Sequence, residues 1–337
     1  MFIVESYGFA VALCCVTMLC WGSWGNTQKL AAKTWRYELF YWDYVIGILI
    51  FSLCWGITLG SVGGEGRPFL DDLSQVSLSN FFSALLGGIV FNASNILLSS
   101  SMSLAGMSVA FPVGVGLAMV LGVFINYFTQ PKGDAIILFL GVFLILLAIL
   151  ANSIASGKVV KNSEIDRTRR KTGLLIAIFS GVLMAFFYRF VAITMDLEHL
   201  ESPAAGMMTP YSALFVFALG IFLSNFLFNT IVMRRPFIGN SVSYKEYFKG
   251  NLNTHLVGLL GGGIWALGSA CSYIAAGKAG AAISYALGQG ATMVAALWGI
   301  LIWKEFKGAS RSITILLISM MFLFFLGITL IVLSGGN

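Results

Sequence analysis

Residues 79–101 read Ser-Asn-Phe-Phe-Ser-Ala-Leu-Leu-Gly-Gly-Ile-Val-Phe-Asn-Ala-Ser-Asn-Ile-Leu-Leu-Ser-Ser-Ser, 23 residues without a charge. A helix of that length rises about 34 Å, enough to cross the ~30 Å hydrocarbon core of a bilayer. Apolar and polar residues do not alternate along it, which excludes a strand. In lipid, backbone polar groups also need partners within their own segment. The stretch therefore reads as a membrane-spanning helix. Working outward, nine more runs of this kind occur at about 7–28, 40–62, 107–128, 134–155, 172–194, 207–232, 254–276, 281–303 and 312–334. No soluble domain fits between them. The longest connections, 63–78, 156–171 and 233–253, read as loops.

Composition agrees. Of 337 residues, 58% are apolar and 10% charged, where a soluble domain carries about 25% charge. This excludes a disordered chain, a secreted disulfide scaffold and nearly any cytosolic enzyme. Cys14, Cys15, Cys20, Cys54 and Cys271 all lie in apolar runs without paired or metal-type spacing and read as small buried residues. The first run lacks a basic start and continues into Trp21-Gly22-Ser23-Trp24, so it reads as a span and not a cleavable signal.

The net charge of +6 is sorted by loop. Sixteen of the 20 basic residues fall in alternate connections, among them Lys29, Lys33 and Arg36 after the first span and Lys158, Lys161 and Arg167 after the fifth. The positive-inside rule then puts those loops in the cytoplasm and both termini outside. Eight of the 14 acids sit on the other side. The charge is thus an orientation signal and not a nucleic-acid footprint.

Shifted by 174 residues, Leu85-Leu86-Gly87-Gly88 aligns with Leu259-Leu260-Gly261-Gly262. The same offset pairs Ala105-Gly106 with Ala279-Gly280 and Gly114 with Gly288. Each half holds five spans, and an odd number inverts the second copy in the membrane. The expected fold is all-α and integral to the membrane: ten transmembrane helices as two inverted five-helix repeats, 1–156 and 172–337, joined by a basic cytoplasmic loop at 157–171. Such symmetry suits a carrier whose one midplane site opens alternately to each side.

Polar residues inside the spans are the candidate site. Trp21, Trp24 and Gln28 share a face of the first span with Thr17, and Asn92 and Asn95 share one of the third with Ser99. Trp265 and Ser269 share one of the eighth with Ser272, and Tyr285, Gln289 and Thr292 one of the ninth. Individually such groups hydrogen-bond neighbouring helices. Together they outline a cavity with aromatic walls and carboxamides, suited to a small, flat, polar, uncharged solute. Arg189 in the sixth span either serves substrate or gating, or snorkels toward the acidic loop holding Asp196, Glu198 and Glu201. Asp43, the acid inside the second span, either carries a coupling proton or pairs structurally with Lys29 or Arg36. No His/Glu metal cluster or phosphate-binding loop occurs, and neither metal nor cofactor is expected.

Two inverted five-span halves resemble the drug/metabolite transporter superfamily. More closely, the chain resembles the ureide permease family, plant carriers of allantoin and related oxo-heterocycles including uracil. The resemblance rests on Val4-Glu5-Ser6, Gly22 with Trp24, Asp43-Tyr44, Arg67-Pro68, Gly87-Gly88-Ile89-Val90, Asn95 and Asn126-Tyr127-Phe128. In the second half it rests on Arg235-Pro236, Ala286-Leu287, Trp298-Gly299-Ile300-Leu301, Glu305 and Ser310-Arg311. The chain departs from the plant pattern in its short central loop, in Ala286-Leu287-Gly288 where the family has Ala-Leu-Pro, and at Arg189 and Gln289. The resemblance implies import of a ureide or nucleobase by proton symport. Sugar carriers of related architecture leave glucose, ribose or rhamnose as an alternative, with metabolite or drug export behind it. A sensor or scaffold without transport is disfavoured by the absence of an effector domain. The compact loops point to a bacterial inner membrane.

Overall fold

Helix starts are written in side chains that satisfy otherwise orphaned amides. Ser6 accepts from the Phe9 amide, Ser77 from Asn80, and Asn251 from Thr254. Thr209 caps Ser212, with Pro210 in the first helical turn. The computed structural model describes residues 1–32, 35–160 and 167–336; of the basic residues named above, Lys33 and Lys161 lie outside them. Among the described residues ten helical segments are long and apolar enough to cross a membrane, so the chain is a multi-pass membrane protein. In order these are α1 (Tyr7–Ala31), α2 (Tyr37–Ile57), α4 (Leu78–Ala105), α5 (Met107–Thr129), α6 (Ala135–Val160), α7 (Arg167–Ala192), α8 (Pro210–Arg234) and α10 (Leu252–Ala279), then the ninth span, and α13 (Arg311–Ser334). The described residues contain no β-strand, only an isolated bridge between Met195 and Met208.

Three details differ from the sequence reading. The loops at 63–78 and 233–253 contain short helices, α3 (Phe69–Gln75) and α9 (Tyr244–Tyr247). Pro68 pre-sets the first, with Asp71 and Asp72 in its first turn; a capping box of Ser243 and Glu246 builds the second. The second span starts at Tyr37, so Asp43 is not its only acid: Glu38 is also on α2 and is fully buried. The ninth span is broken into α11 (Ala281–Gln289), α12 (Ala291–Leu297) and a π-helical turn, Trp298–Ile302. Single π turns recur at functional positions, and here Gly299, without a Cβ, leaves room for the Glu305 carboxylate.

Packing follows the small residues. α4 lies against α7 and α8, α10 lies against α1 and α2, and α6 pairs with α13. A Cβ on Gly88 would fall 2.0 Å from the Phe217 carbonyl oxygen, and one on Gly262 2.0 Å from that of Tyr44. Likewise Gly220 meets the Leu85 carbonyl and Gly47 that of Leu259, at 2.2 and 2.3 Å. These are backbone-to-backbone approaches that only glycine permits. α4 ends at Gly106 and α10 at Gly280, both with φ +84°, where a side chain would be strained. The chain ends share one end of the bundle: Phe2 donates to the Leu59 carbonyl, and Asp134 to that of Ser334. Lys29, Arg36, Arg234 and Glu305 mark the opposite, basic end.

Candidate functional site

A cavity lies between the helices near mid-bundle. α1 supplies Trp21 and Trp24, α4 supplies Phe91, Asn95 and Leu98, and α10 supplies Trp265. Phe111, Met184, Phe187 and Gln289 complete the wall. The indoles of Trp21 and Trp265 are nearly parallel, 11° apart with centroids at 6.0 Å. Phe91 tilts onto Trp265 at 4.3 Å. Trp21 is locked by its N–H, which donates to Ser269 Oγ at 3.1 Å. The Asn95 amide N–H2 donates to the hydroxyls of Tyr41 (3.2 Å) and Tyr44 (3.4 Å), leaving its carbonyl oxygen for a ligand. Among the described residues no charged side chain lines the cavity. About 30 Å³ is open to the centre of a water molecule, room for about two waters.

The two ends are closed differently. Toward the chain termini, Tyr188 and Tyr285 are both fully buried and tilt onto each other at 5.1 Å. Tyr188 hydroxyl and Ser272 Oγ are 3.0 Å apart, as are Ser272 and Ser284. Open space lies at both ends: about 410 Å³ beside Lys132, Asp196 and Glu198 at the terminal end, and at the basic end about 260 Å³ between Gln28, Lys29, Met102 and Glu305 and about 470 Å³ beside Trp35 and Glu38. Lys29 pairs with Glu305 at 2.5 Å and lies 4.3 Å over the Trp303 ring. Trp298 and Trp303 donate to Ser23 and Asn26, tying the π turn to α1.

The structure gathers only part of the predicted set. Trp21, Trp24, Asn95, Trp265 and Gln289 line the cavity, and Ser269 and Thr292 support it, Thr292 donating to the Gln289 carbonyl at 3.2 Å. Tyr285 lies behind the wall, its hydroxyl donating to the Ala118 carbonyl. Asn92 is taken up between Tyr41 and Ser224. Gln28 belongs to the basic-end vestibule, donating to the Ser99 carbonyl at 3.3 Å. Arg189 is exposed on α7 and does not line the cavity. Phe91, Phe111, Met184 and Phe187 were missed, because an apolar residue on a span looks the same whether it faces lipid or cavity.

Asp43 is buried at the basic end. Its carboxylate accepts from Tyr247 at 2.5 Å and lies 2.9 Å from His255 Nδ1. Neither Lys29 nor Arg36 is its partner: Lys29 holds Glu305, and Arg36 forms a two-pronged pair with Glu38. His255 escaped the sequence reading because it sits in the first turn of α10, where it looks like a loop-end residue. At the other end, Arg67 bonds Asp72 at 2.8 Å and the Pro203 and Met207 carbonyls, and Asp72 also accepts from the Thr209 amide. Among the described residues no group of His, Cys, Asp and Glu is arranged to hold a metal.

Relatives share the whole chain length. Ureide permease 1 and Ureide permease 2 of Arabidopsis thaliana are each 24% identical, over 100% of both chains. Probable ureide permease A3 of Vigna unguiculata is 22% identical over 92% of this chain and 98% of its own. A solved crystal structure matches 96% of this chain and 98% of its own with a TM-score of 0.58; at 14% identity it shows likeness of fold alone. The family model described as ureide permease matches residues 40–171 and 159–334, nearly the full length of the bundle. Its members are permeases and not enzymes, and this chain belongs to the ureide permease family.

Proposed function

We propose that the protein imports a small, flat, uncharged oxo-heterocycle, a ureide such as allantoin or a nucleobase such as uracil, by alternating access with proton symport. The observation that carries this reading is the cavity: aromatic faces from Trp21, Trp24, Trp265 and Phe91, two carboxamides, and no charge. A planar ring gains dispersion and stacking contact on the indoles. Its lactam edge, with alternating N–H and C=O, finds an acceptor in Asn95 and both donor and acceptor in Gln289. The names of the relatives, ureide permeases, point to a ureide. The cavity holds about two waters, so a ring enters only when the walls part, as a moving carrier requires.

Alternating access is supported by the matched packing: α4 on α7 and α8 parallels α10 on α1 and α2. The backbone approaches at Gly88 and Gly262 are equivalent, and so are the breaks at Gly106 and Gly280. We read 1–156 and 172–337 as the two halves, the basic end as cytoplasmic and both termini as outside, in a bacterial inner membrane. Asp43 is the proposed proton-coupling group. Uptake of labelled allantoin, uracil, glucose and rhamnose into proteoliposomes tests the reading. Preference for the heterocycles and stimulation by an inward proton gradient are expected; preference for a sugar overturns the substrate assignment.

A further inference from the structure

We infer that the driving proton is held by a two-residue unit, Asp43 with His255, which share one proton between them, with Tyr247 as the fixed donor. The inference rests on the transport reading above. Asp43 accepts hydrogen bonds from two directions, the Tyr247 hydroxyl at 2.5 Å and His255 Nδ1 at 2.9 Å from both carboxylate oxygens. One proton can thus be held between the carboxylate and the imidazole, and the other ring nitrogen of His255 lies outside that contact. That nitrogen faces Gly250, where an added Cβ would lie 2.6 Å from it. An added Cβ there would also meet the Trp35 ring at 2.2 Å, so the imidazole is packed in at the basic end, the side toward which an imported proton leaves. The His255 side chain is 22% exposed and that of Asp43 3%.

The groups facing the unit from each packed element are few. α2 brings Asp43, α9 brings Tyr247, and the Trp35 indole stands edge-on to the imidazole at 5.3 Å. Among the described residues no lysine or arginine pairs with Asp43. Burial, with the Asp43 carboxylate beside it, holds the Tyr247 phenol above its usual range, so it remains a donor. The unit therefore alternates between a net charge of −1 and neutrality, with no cation to compensate the charged form. Moving an uncompensated charge into a drier environment is unfavourable, so the neutral, protonated form is the one that moves.

Motion reaches the cavity through the same two helices. Gly258 lets α10 approach Asp43, its Cβ position lying 2.3 Å from that of the aspartate, and Gly262 abuts the Tyr44 carbonyl. Tyr44 receives the Asn95 amide. Trp265, ten residues beyond His255, lies about 15 Å further along α10. α2 and α10 thus carry the proton unit at one end and a wall of the solute site at the other.

The test uses the full chain in proteoliposomes, with labelled uracil and allantoin as probes and outside pH varied at fixed inside pH. Asp43→Asn and His255→Gln are expected to lose at least tenfold in gradient-driven accumulation while solute-for-solute exchange, which needs no net proton movement, continues. Tyr247→Phe removes one donor from the carboxylate, so the unit holds a proton more tightly. Its half-maximal uptake shifts to higher pH. His199→Gln, the other histidine, leaves the profile unchanged. Accumulation in His255→Gln equal to wild type overturns the inference. Should either unit variant misfold, Tyr247→Phe decides, and an unshifted pH profile overturns it. Wild type without flux of either probe at any pH overturns the transport reading and this inference with it. Flux whose pH dependence survives in the variants overturns this inference alone.

Discussion

Gly262 and Gly263 are neighbours on α10, and their contrast tests the packing that sets α2 against α10. An alanine Cβ at Gly262 would lie 2.0 Å from the Tyr44 carbonyl oxygen and 2.8 Å from the Ile48 nitrogen, both backbone atoms. Ordinary contact begins at 3.4 Å, so the helices must separate by about 1.4 Å. At Gly263 the nearest atom is a Phe51 ring carbon at 3.5 Å, which needs no adjustment. Both substitutions gain the same helix propensity, about 1 kcal/mol over glycine. The difference between them isolates the clash, about 1–3 kcal/mol for overpacking against atoms that cannot rotate away. Gly262→Ala is expected to melt several degrees below Gly263→Ala when purified in the same detergent and followed by loss of the monodisperse fraction. Gly88→Ala, facing the Phe217 carbonyl at the same 2.0 Å, should behave like Gly262→Ala. A Gly262→Ala protein as stable as Gly263→Ala would refute the backbone contact.

Three further outcomes follow from particular side chains. Trp265→Ala and Gln289→Leu should each weaken solute binding at least tenfold, about 1.4 kcal/mol, in competition binding with labelled uracil, whereas Arg189→Ala, exposed on α7, should bind as wild type. Arg67→Ala leaves Asp72 buried without its cation; breaking such a pair costs about 3–5 kcal/mol, and a lower melting temperature is expected. Asp196, in the loop at the terminal end, is pushed up by burial but more strongly lowered by hydrogen bonds from the Ala204 amide and His199. Its contribution to stability is therefore complete above the usual carboxylate range, near pH 4, and lost as pH falls through its lower folded value. Asp196→Asn should flatten the acid limb of a stability–pH curve, and an unchanged limb would show that the carboxylate contributes nothing.

What the sequence made legible was what periodicity and charge record. Span-length apolar runs mark helices because lipid leaves the backbone no other partner, and the described residues hold ten such segments. The aromatic faces at Trp21, Trp24 and Trp265 were readable because large polar-tipped rings stand out from leucine. Distances across the bundle were not legible. Nothing local in Asn92 says that Tyr41 and Ser224 consume its carboxamide while Asn95, one turn on, faces the cavity. Nothing in His255 says that Asp43, 212 residues earlier, lies within hydrogen-bond reach. The break in the ninth span was hidden as well, since nothing local distinguishes Gly290, at the break, from the other glycines of that run. Arg189, which the sequence left between a substrate role and a place near the acidic loop, is exposed on α7 and does not line the cavity.

The central claim is that this chain moves a flat, uncharged heterocycle across a membrane through the aromatic cavity. The most direct measurement is the initial rate of labelled uracil and allantoin entry into proteoliposomes against concentration, compared with protein-free vesicles and with Trp265→Ala. The account predicts saturable entry of at least one heterocycle above the vesicle background, accelerated by an inward proton gradient and reduced in Trp265→Ala. Entry no faster than into empty vesicles across the whole concentration range would contradict it.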